Sequence, residues 1–496
     1  MSWLTGRSPL RDCTFGSPLA NLPIWGPKTS SVVSVARDAG YQTLQLGKWQ
    51  EASNTQIEPL KQPGAMGYES WDTFDHGVTY NMPCMCFSPT PQNCFRGHQP
   101  PGLVTEAGVK SYNWGRPCLL GRSPNNTIHE FPYNEMESLH LANLAVSFMQ
   151  NSDQSRPIYI YAAFRSVHVP YVASPRLRNN CSSADASSIC YNGPTLTSRQ
   201  LDYFGCVVGI DNAVGIVRAG LRKYRNDWKN TVLIFTSDNG PEIPKYDGAG
   251  SAGGLRGMKR SLLRFFSLSL SSSVLVVFPL LVWLFKKWLT SEHDGIRFEG
   301  GIRLPFLMEW PAQIFANRIS NDLITIEDLP TTFEALITNN QPRAARDGVS
   351  IMPLITSPAK PFQRPNPHVV CAYVNPTSVS KGVLCPSLAV IEPTGTWKLI
   401  VQRANSQSWS PSTPFHVLGL YNISEGEWTN MARFQPHVVH SMKVMAKTWI
   451  SSAFQDFGAN CKGYYGPGAP LRGGGIVEPK GPIWTEAPNS GPEYEE

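Results

Sequence analysis

Short apolar runs alternate along the chain with segments of helical spacing. Residues 232–235 form a continuous apolar run bounded by polar residues, which is typical of a strand buried on both faces in a parallel sheet. Residues 158–164 and 41–46 also predict strands. Residues 201–224 carry apolar side chains at three- and four-residue steps, so they predict a helix that faces a core. This alternation favours an α/β fold, in which helices cover a mostly parallel central sheet.

Two further segments predict helices. Residues 29–39 predict a helix that Thr29 or Ser30 caps and that Gly40 ends. Residues 135–150 also have helical spacing, and they stand between the predicted strands 41–46 and 158–164. Strand and helix therefore follow one another through the first half of the chain.

The pattern divides the chain into a large domain and a smaller C-terminal part. We assign residues 1–364 to the α/β domain, within which the Pro-, Gly- and Cys-rich residues 51–133 predict long surface loops. From residue 365 the pattern changes to short strands and turns, such as 397–402. Residues 365–462 therefore predict a smaller α+β subdomain. Residues 463–496 are rich in Gly and Pro and predict a disordered tail.

Composition and charge exclude some classes of function. The 496 residues are 41% hydrophobic and 16% charged, which indicates a globular rather than a disordered protein. The net charge of +6 is small for this length, and no basic block is suited to nucleic acid. We therefore expect no nucleic-acid partner, while a mild positive charge is compatible with anionic substrates.

The cysteines and sequons indicate an oxidising compartment. The chain has 11 cysteines, and two groups of them suit disulfides: Cys84, Cys86, Cys94 and Cys118 in an irregular stretch, and the pair Cys181 and Cys190. Zinc ligation is the alternative, although paired Cys-x-x-Cys spacing is missing. Glycosylation sequons begin at Asn125, Asn180 and Asn422. These features predict a secreted or lumenal glycoprotein, although no signal peptide opens the chain at Met1.

Candidate metal-ligating residues follow the apolar run 232–235. Asp238 and Asn239 come next, and Gly240-Pro241 breaks the strand. Ligands bind at the carboxyl ends of strands in open α/β sheets, and carboxylate and amide oxygens suit a hard divalent cation. The alternative interpretation is an Asx-type turn that ends the strand.

The segment Ser237-Asp238-Asn239-Gly240-Pro241 resembles the metal-binding motif of the sulfatase family, within the alkaline-phosphatase-like superfamily. Further segments resemble that family's motifs in the family's order: Leu4-Thr5-Gly6-Arg7, Gly40-Tyr41-Gln42-Thr43 through Gly47-Lys48-Trp49, His168-Val169-Pro170 with Pro175, 253–259, 299–305, Asp328-Leu329-Pro330-Thr331 and Asp347-Gly348-Val349. The resemblance runs from the first residues to about Asn430 and is strongest to arylsulfatases.

The resemblance implies hydrolysis of a sulfuric ester, with a sulfated small molecule or glycan as substrate. Lys48 and Lys259 match the family's sulfate-binding lysines, and Arg7 lies at the end of the signature around the nucleophile. His168 matches the histidine that hydrogen-bonds the sulfate or protonates the leaving group. The resemblance also implies that Asp238 and Asn239 bind Ca²⁺, and that the protein enters the secretory pathway towards an extracellular or lysosomal-type lumen. It gives no oligomeric state.

The sequence also departs from the family's pattern. The cysteine or serine that becomes the formylglycine nucleophile lies just upstream of Leu-Thr-Gly-Arg in the family, a position that falls before Met1. Cys13 is on the wrong side of that motif, and the first pair of metal-binding aspartates would lie further upstream. Gln50 stands where the family has a histidine. We therefore expect an N-terminally truncated chain that binds calcium weakly and hydrolyses no sulfate ester at a useful rate.

An apolar segment separates Lys259 from Glu299, which the family keeps close together. Residues 265–285 are uncharged and long enough to span a bilayer. A spanning helix there would place the two halves of one sheet on opposite sides of a membrane. We interpret residues 260–294 as an inserted, non-native segment such as a translated intron. The alternative is a membrane-lying or re-entrant helix, so a membrane is a partner only if 265–285 is a genuine segment.

Two other functions remain open from the sequence. One is a phosphodiesterase or phosphonate hydrolase of the same superfamily, which would need additional metal-ligating Asp and His residues. The other is a non-catalytic, membrane-associated glycoprotein that keeps the fold. Under the sulfatase interpretation, the candidate residues on the sheet should converge at one edge: Lys48, His168, Asp238, Asn239 and Lys259.

Overall fold

The computed structural model describes residues 2–9, 11, 31–49, 63–74, 103–106, 109–112, 118–122, 128–131, 136–168, 171, 173–174, 176–178, 196–242, 248–259, 298–339, 347–356, 362, 364–371, 387–403 and 414–461. The described strands are β1 (Gln42–Lys48), β2 (Ser70–Phe74), β3 (Leu103–Glu106), β4 (Val109–Tyr112), β5 (Cys118–Arg122), β6 (Ile128–Phe131), β7 (Ile158–Ala163), β8 (Leu233–Thr236), β9 (Phe306–Glu309), β10 (His368–Cys371), β11 (Ser387–Ile391), β12 (Trp397–Arg403) and β13 (Phe415–Asn422). The described helices are α1 (Ser2–Thr5), α2 (Val32–Asp38), α3 (Glu137–Asn151), α4 (Ser198–Tyr224), α5 (Glu299–Ile302), α6 (Asp328–Thr338), α7 (Met352–Thr356) and α8 (Pro436–Cys461).

The main sheet has the order β6-β5-β2-β1-β7. Strand β1 lies between β2 and β7 and runs parallel to both, whereas β5 and β6 are antiparallel additions. Helices cover both faces, since alternate side chains of β7 pack in different cores. Ile158 and Ile160 pack with α3 and α4, while Tyr159 and Tyr161 pack on the side of α2 and α6. This arrangement confirms the predicted α/β class.

Close packing of α3 against α4 explains one glycine in α4. A Cβ on Gly220 would clash with the side chain of Val146, so only glycine allows the two helices to approach this closely. Helix α4 is also the one helix, among those the structure describes, that is long and apolar enough to cross a bilayer. Leu221 of this helix packs with Leu141 of α3 in the core, as the side chains of a core helix do.

The apolar run 232–235 largely coincides with strand β8 (Leu233–Thr236), but the pairing of this strand differs from the prediction. Strand β8 pairs antiparallel with β9, and its residues are half-buried rather than buried on both faces. One face of this pair packs against the core that contains Trp310 and Leu329. An apolar run identifies a strand but does not determine the direction of the neighbouring strand. Here that neighbour is formed by residues 306–309, much later in the chain.

The prediction of loops throughout residues 51–133 is wrong for the described part. Strand β2 belongs to the main sheet, with Leu44 of β1 paired to Ser70. Two antiparallel pairs, β3–β4 and β5–β6, follow within the same stretch. Each of these strands is four or five residues long. Such short segments carry little periodicity and depend on their partners for stability.

The C-terminal part is an antiparallel sheet of order β10-β11-β12-β13 with α8 on one face. Side chains such as Leu399 and Val401 pack with Met442 and Ile450 of this helix. The opposite face contacts Phe298, in the segment that precedes α5. Sheet and helix together have the α+β character that we predicted, and the boundary at residues 364/365 remains a prediction.

Two of the motifs with family resemblance meet beside the N-terminal helix. Asp328 accepts a hydrogen bond from the amide of Val349 at 2.8 Å, and the amide of Asp347 donates to the carbonyl of Gly6 at 2.9 Å. A Cβ on Gly348 would clash with the carbonyl oxygen of Glu327, so this junction requires glycine. The motifs 328–331 and 347–349 therefore fix the position of the segment that carries Arg7.

Several predictions fall outside the described residues. These are the apolar segment 260–294, the tail 463–496, Cys13, Gln50, the sequons at Asn125 and Asn180, and all but one of the six cysteines proposed for disulfides.

Candidate active site

The carboxyl ends of β1 and β7 form the edge at which the candidate residues lie. Lys48 is the last residue of β1, and Gly47 pairs in parallel register with Ala163 at the end of β7. The turn that follows β7 therefore begins next to Lys48. The amide of His168 donates to the carbonyl of Arg165 at 2.9 Å, which closes this turn and places His168 at the same edge.

The end of β8 reaches this edge through an ion pair. Lys48 Nζ lies 3.7 Å from Asp238 Oδ2, although β8 belongs to another sheet. The Asp238 side chain is 67% exposed, whereas that of Lys48 is only 18% exposed. The ammonium therefore projects from a largely buried stem towards an accessible carboxylate. Asp238 therefore reaches the edge next to which the turn that carries His168 begins.

Lys259 is attached to the chain that follows β8. Its amide donates to the carbonyl of Pro241 at 2.8 Å, and Glu242 forms a parallel bridge with it. Lys259 Nζ lies 3.6 Å from the buried carboxylate of Glu242. The Asp238–Asn239 turn and Lys259 are consequently one local unit, although the two lie about twenty residues apart in the chain.

Two other positive charges lie close enough to Lys48 to affect its pKa. Burial lowers the pKa of Lys48, and the positive charges of Arg165 and Lys259 lower it further, while Asp238 opposes them. A desolvated cation among other cations is poorly satisfied without an anion. The arrangement is therefore suited to binding an anionic group between Lys48 and its neighbours.

Comparison with known proteins identifies the family. A family model described as Sulfatase matches residues 2–338, which is more than half of the chain. The chain belongs to the sulfatase family. Mouse arylsulfatase G is 26% identical over 349 residues, covering 68% of this chain and 54% of the relative. Human N-acetylgalactosamine-6-sulfatase is 24% identical over 369 residues, covering 71% and 55%. The chain thus spans a little over half the length of these curated relatives.

Solved structures share the fold of this chain. A sulfatase from Pseudoalteromonas sp. has a TM-score of 0.59 at 16% identity, covering 92% of this chain and 80% of its own. A protein solved in complex with its substrate D-glucosamine-2-N,6-O-disulfate has a TM-score of 0.56 at 13% identity, covering 93% and 88%. At these identities the likeness establishes the fold alone.

A calcium ion requires more oxygen ligands than the described residues at this edge provide. Within the described residues, no group of three or more His, Cys, Asp or Glu side chains could hold a metal ion. Asp238 and Asn239 offer oxygen donors of the right chemistry, but a calcium ion takes roughly 6–8 of them. Asp238 is also paired with Lys48. These residues alone do not complete a calcium site.

Arg7 has a different neighbourhood from the other candidates. Arg7 Nη2 lies 3.3 Å from Asp456 Oδ2 of α8, and Arg11 Nη1 lies 2.8 Å from the same oxygen. These ion pairs tie the N-terminal segment to the C-terminal helix. The proximity of Arg7 to Lys48 and its role in catalysis remain predictions.

Sequence reasoning missed two charged residues of this sulfatase. Arg165 lies two residues after the end of β7, is only 4% exposed, and acts electrostatically on Lys48. Glu137 begins α3, and its carboxylate accepts hydrogen bonds from the amide of Arg165 at 3.1 and 3.3 Å. A cation directly after an apolar strand is a signal that could have identified Arg165. The contact of Glu137 depends on how α3 packs, which the sequence does not display.

The enclosure of Glu137 affects its protonation. Burial of the carboxyl group raises the pKa of Glu137 to about 7, although hydrogen bonds from the backbone amides and the charge of Arg165 oppose the rise. The residue as a whole is half-buried. A carboxyl group with a raised folded-state pKa binds its proton more tightly in the folded protein, so its contribution to stability is present at low pH and is lost as pH rises towards 7.

Glu137→Gln should therefore remove part of the pH dependence of stability. Going from about pH 5 to about pH 8, wild type should lose about 1–2 kcal/mol of unfolding free energy relative to the variant. Urea unfolding of both proteins at the two pH values measures this difference. The exposed Glu425→Gln variant is the control and should follow wild type. An equal Glu137→Gln effect at both pH values would show that the carboxyl group titrates normally.

Proposed function

We propose that the protein is a sulfuric ester hydrolase and that it binds the sulfuric ester at the edge formed by Lys48 and Lys259. The observation that supports this most directly is the desolvated Lys48 ammonium, which faces accessible space beside Asp238, with Lys259 and Arg165 close enough to lower its pKa. A sulfuryl group carries its negative charge on several oxygens, so cations on more than one side stabilise it.

Each residue has a distinct part in this proposal. Lys48 and Lys259 bind the sulfuryl oxygens, and His168 hydrogen-bonds the sulfate or donates a proton to the leaving oxygen. Arg7 would orient the nucleophile. Sulfatases are in general metal-dependent, and Asp238 and Asn239 are the described residues that would contribute to a Ca²⁺ site. The substrate class is a sulfated small molecule or glycan.

The secretory pathway is part of the same proposal. Among the sequons, Asn422 lies in the described part of the chain, and its side chain caps the turn Ile423–Glu425 by accepting from Ser424 N at 3.1 Å. Its amide nitrogen donates to the exposed Glu425 at 3.1 Å. A glycan on that nitrogen would replace only this surface contact.

Binding is the measurement that tests the described residues. Calorimetric titration of residues 1–496 with an aryl sulfate and with the corresponding phenol should show binding of the sulfate ester only. Inorganic sulfate should compete, and the affinity should fall as salt is raised, because the cations are partly accessible to screening ions. Equal affinity for the ester and the phenol would contradict the proposal.

Calcium should add little to the stability of residues 1–496. With two described donors, addition of about 1 mM calcium should raise the free energy of unfolding by less than about 0.5 kcal/mol. Thermal unfolding with and without calcium measures the effect, with Asp238→Ala as the control. A shift of several degrees that Asp238→Ala abolishes would show that other residues of the chain complete the site.

A further inference from the structure

A buried ion cluster lies between the C-terminal sheet and the segment that precedes β9. Lys398 of β12 is fully buried, and Glu299 and Glu427 are 6% and 1% exposed. Lys398 Nζ lies 2.8 Å from Glu427 Oε1 and is paired with Glu299 Oε1. Removing three charges from water is costly, so such a cluster is weak support for stability alone and suggests that its directional bonds matter.

The cluster fixes backbone groups as well as side chains. Glu427 Oε2 accepts from the amide of Glu299 at 2.7 Å. The carbonyl of Glu427 accepts from Arg256 Nη1 at 2.7 Å, and the Arg256 guanidinium lies 3.9 Å from the ring centroid of Phe298. The C-terminal part of the chain therefore contacts two segments. One is 253–259, which ends at Lys259, and the other is 298–303.

These two segments in turn hold the active-site edge. The amide of Gly300 donates to the carbonyl of Arg256 at 2.7 Å, and the amide of Gly240 donates to the carbonyl of Gly301 at 2.9 Å. A Cβ on Gly240 would clash with the carbonyl oxygen of Gly300, so the chains are in close backbone contact. Gly240 directly follows Asn239, and Lys259 is bonded to Pro241.

Resting on the function proposed above, we propose that Lys398 is a positioning residue for the sulfuryl-binding edge. Through Glu299 and Glu427 it holds the segment on which the Asp238–Asn239 turn and Lys259 are aligned. Apolar packing of Phe298 against Ala389, Ile400 and Tyr421 already joins the segment to the sheet. The ion cluster adds directional bonds that fix the segment along its own axis, which apolar contacts do not.

The test uses a variant that removes both ion pairs of Lys398 and keeps the net charge. Lys398→Met/Glu427→Gln deletes one charge of each sign, and exchange of buried ion pairs for neutral groups is often tolerated. The matched control is Arg225→Met/Asp227→Asn, since the Arg225 side chain is only 2% exposed and Arg225 Nε lies 3.0 Å from Asp227 Oδ1 just after the end of α4. Each protein is titrated with inorganic sulfate, and its unfolding free energy and amide hydrogen exchange are measured.

The cluster variant should bind sulfate about fivefold more weakly, a size typical of mutations that act through another residue. Its amides at Gly240, Lys259 and Gly300 should exchange faster, while those of α3 and α4 remain unchanged. The control should keep wild-type sulfate affinity even if its stability falls. Wild-type affinity and exchange in the cluster variant would overturn the positioning role.

Two further outcomes keep the proposals separable. If wild type itself binds no sulfate, the proposed function fails. Hydrogen exchange at the amides of Gly240, Lys259 and Gly300 then still tests whether Lys398 positions this edge. If the double variant does not fold, Glu427→Met alone takes its place, because it deletes the acceptor of the Glu299 amide while Lys398 keeps its pair with Glu299. Unchanged exchange at Gly240, Lys259 and Gly300 in that variant would also overturn the proposal.

Discussion

Lys398→Met alone should lower the free energy of unfolding by about 3–5 kcal/mol, because it leaves buried carboxylates without their cation. Glu299 and Glu427 would then face each other across the space that Lys398 Nζ occupies. Arg303 lies 4.0 Å from Glu299 but is largely exposed, so it compensates little. Urea unfolding should show an earlier midpoint with an unchanged slope.

The pH dependence of this loss distinguishes an electrostatic cause from a packing defect. Burial already raises the pKa of Glu427, while the charge of Lys398 opposes that rise. Without Lys398 the Glu427 carboxyl group should take up a proton at higher pH, so the stability difference from wild type should shrink from about pH 8 to about pH 5. Arg37→Met, which removes an exposed ion pair with Asp38, should cost less than about 1 kcal/mol at both. A loss that is independent of pH would mean that the cavity dominates.

The elements that could be predicted are those whose signal is local. Residues 201–224 predict α4, which extends from Ser198 to Tyr224 because Thr197 and Gln200 form a capping box. Residues 29–39 predict α2, which is capped one residue later than expected, by Ser31. Helix α8 was missed, although Met442, Ala446 and Trp449 recur at helical steps. The signal was present there and was not used.

Other features depend on contacts between distant parts of the chain. Strand β2 is stabilised by its pairing with β1, and nothing in residues 70–74 alone displays that partner. The direction of β9 relative to β8 has the same origin.

The candidate site divides in a similar way. Lys48 and Asp238 were found because each follows an apolar strand, and their ion pair agrees with that reasoning. Arg165 and Glu137 are 28 residues apart and meet only because α3 begins beside the end of β7. The ion cluster of Lys398 joins residues about one hundred positions apart. Motif reasoning finds candidate residues at the ends of strands, whereas the residues that contact them require the packed structure.

Lys48→Met should change stability and sulfate binding in opposite directions. The ammonium of Lys48 is desolvated and lies near Arg165 and Lys259, so removing it relieves repulsion among three cations. Its partner Asp238 is 67% exposed and keeps water as a substitute. The free energy of unfolding should therefore stay within about 0.5 kcal/mol of wild type or rise. A methionine fills much of the space of the lysine stem, so packing is preserved.

Sulfate affinity of the same variant should fall by at least about tenfold, since a charge-assisted hydrogen bond is worth about 1.5–3 kcal/mol. The control is Lys447→Met, which deletes one exposed positive charge on α8 and should leave the affinity nearly unchanged. This comparison separates a local contact from the general attraction of a basic protein for anions. If both variants lost affinity equally, sulfate would be bound by diffuse charge. If Lys48→Met lost affinity together with stability, Lys48 would support the sheet edge rather than contact the ligand.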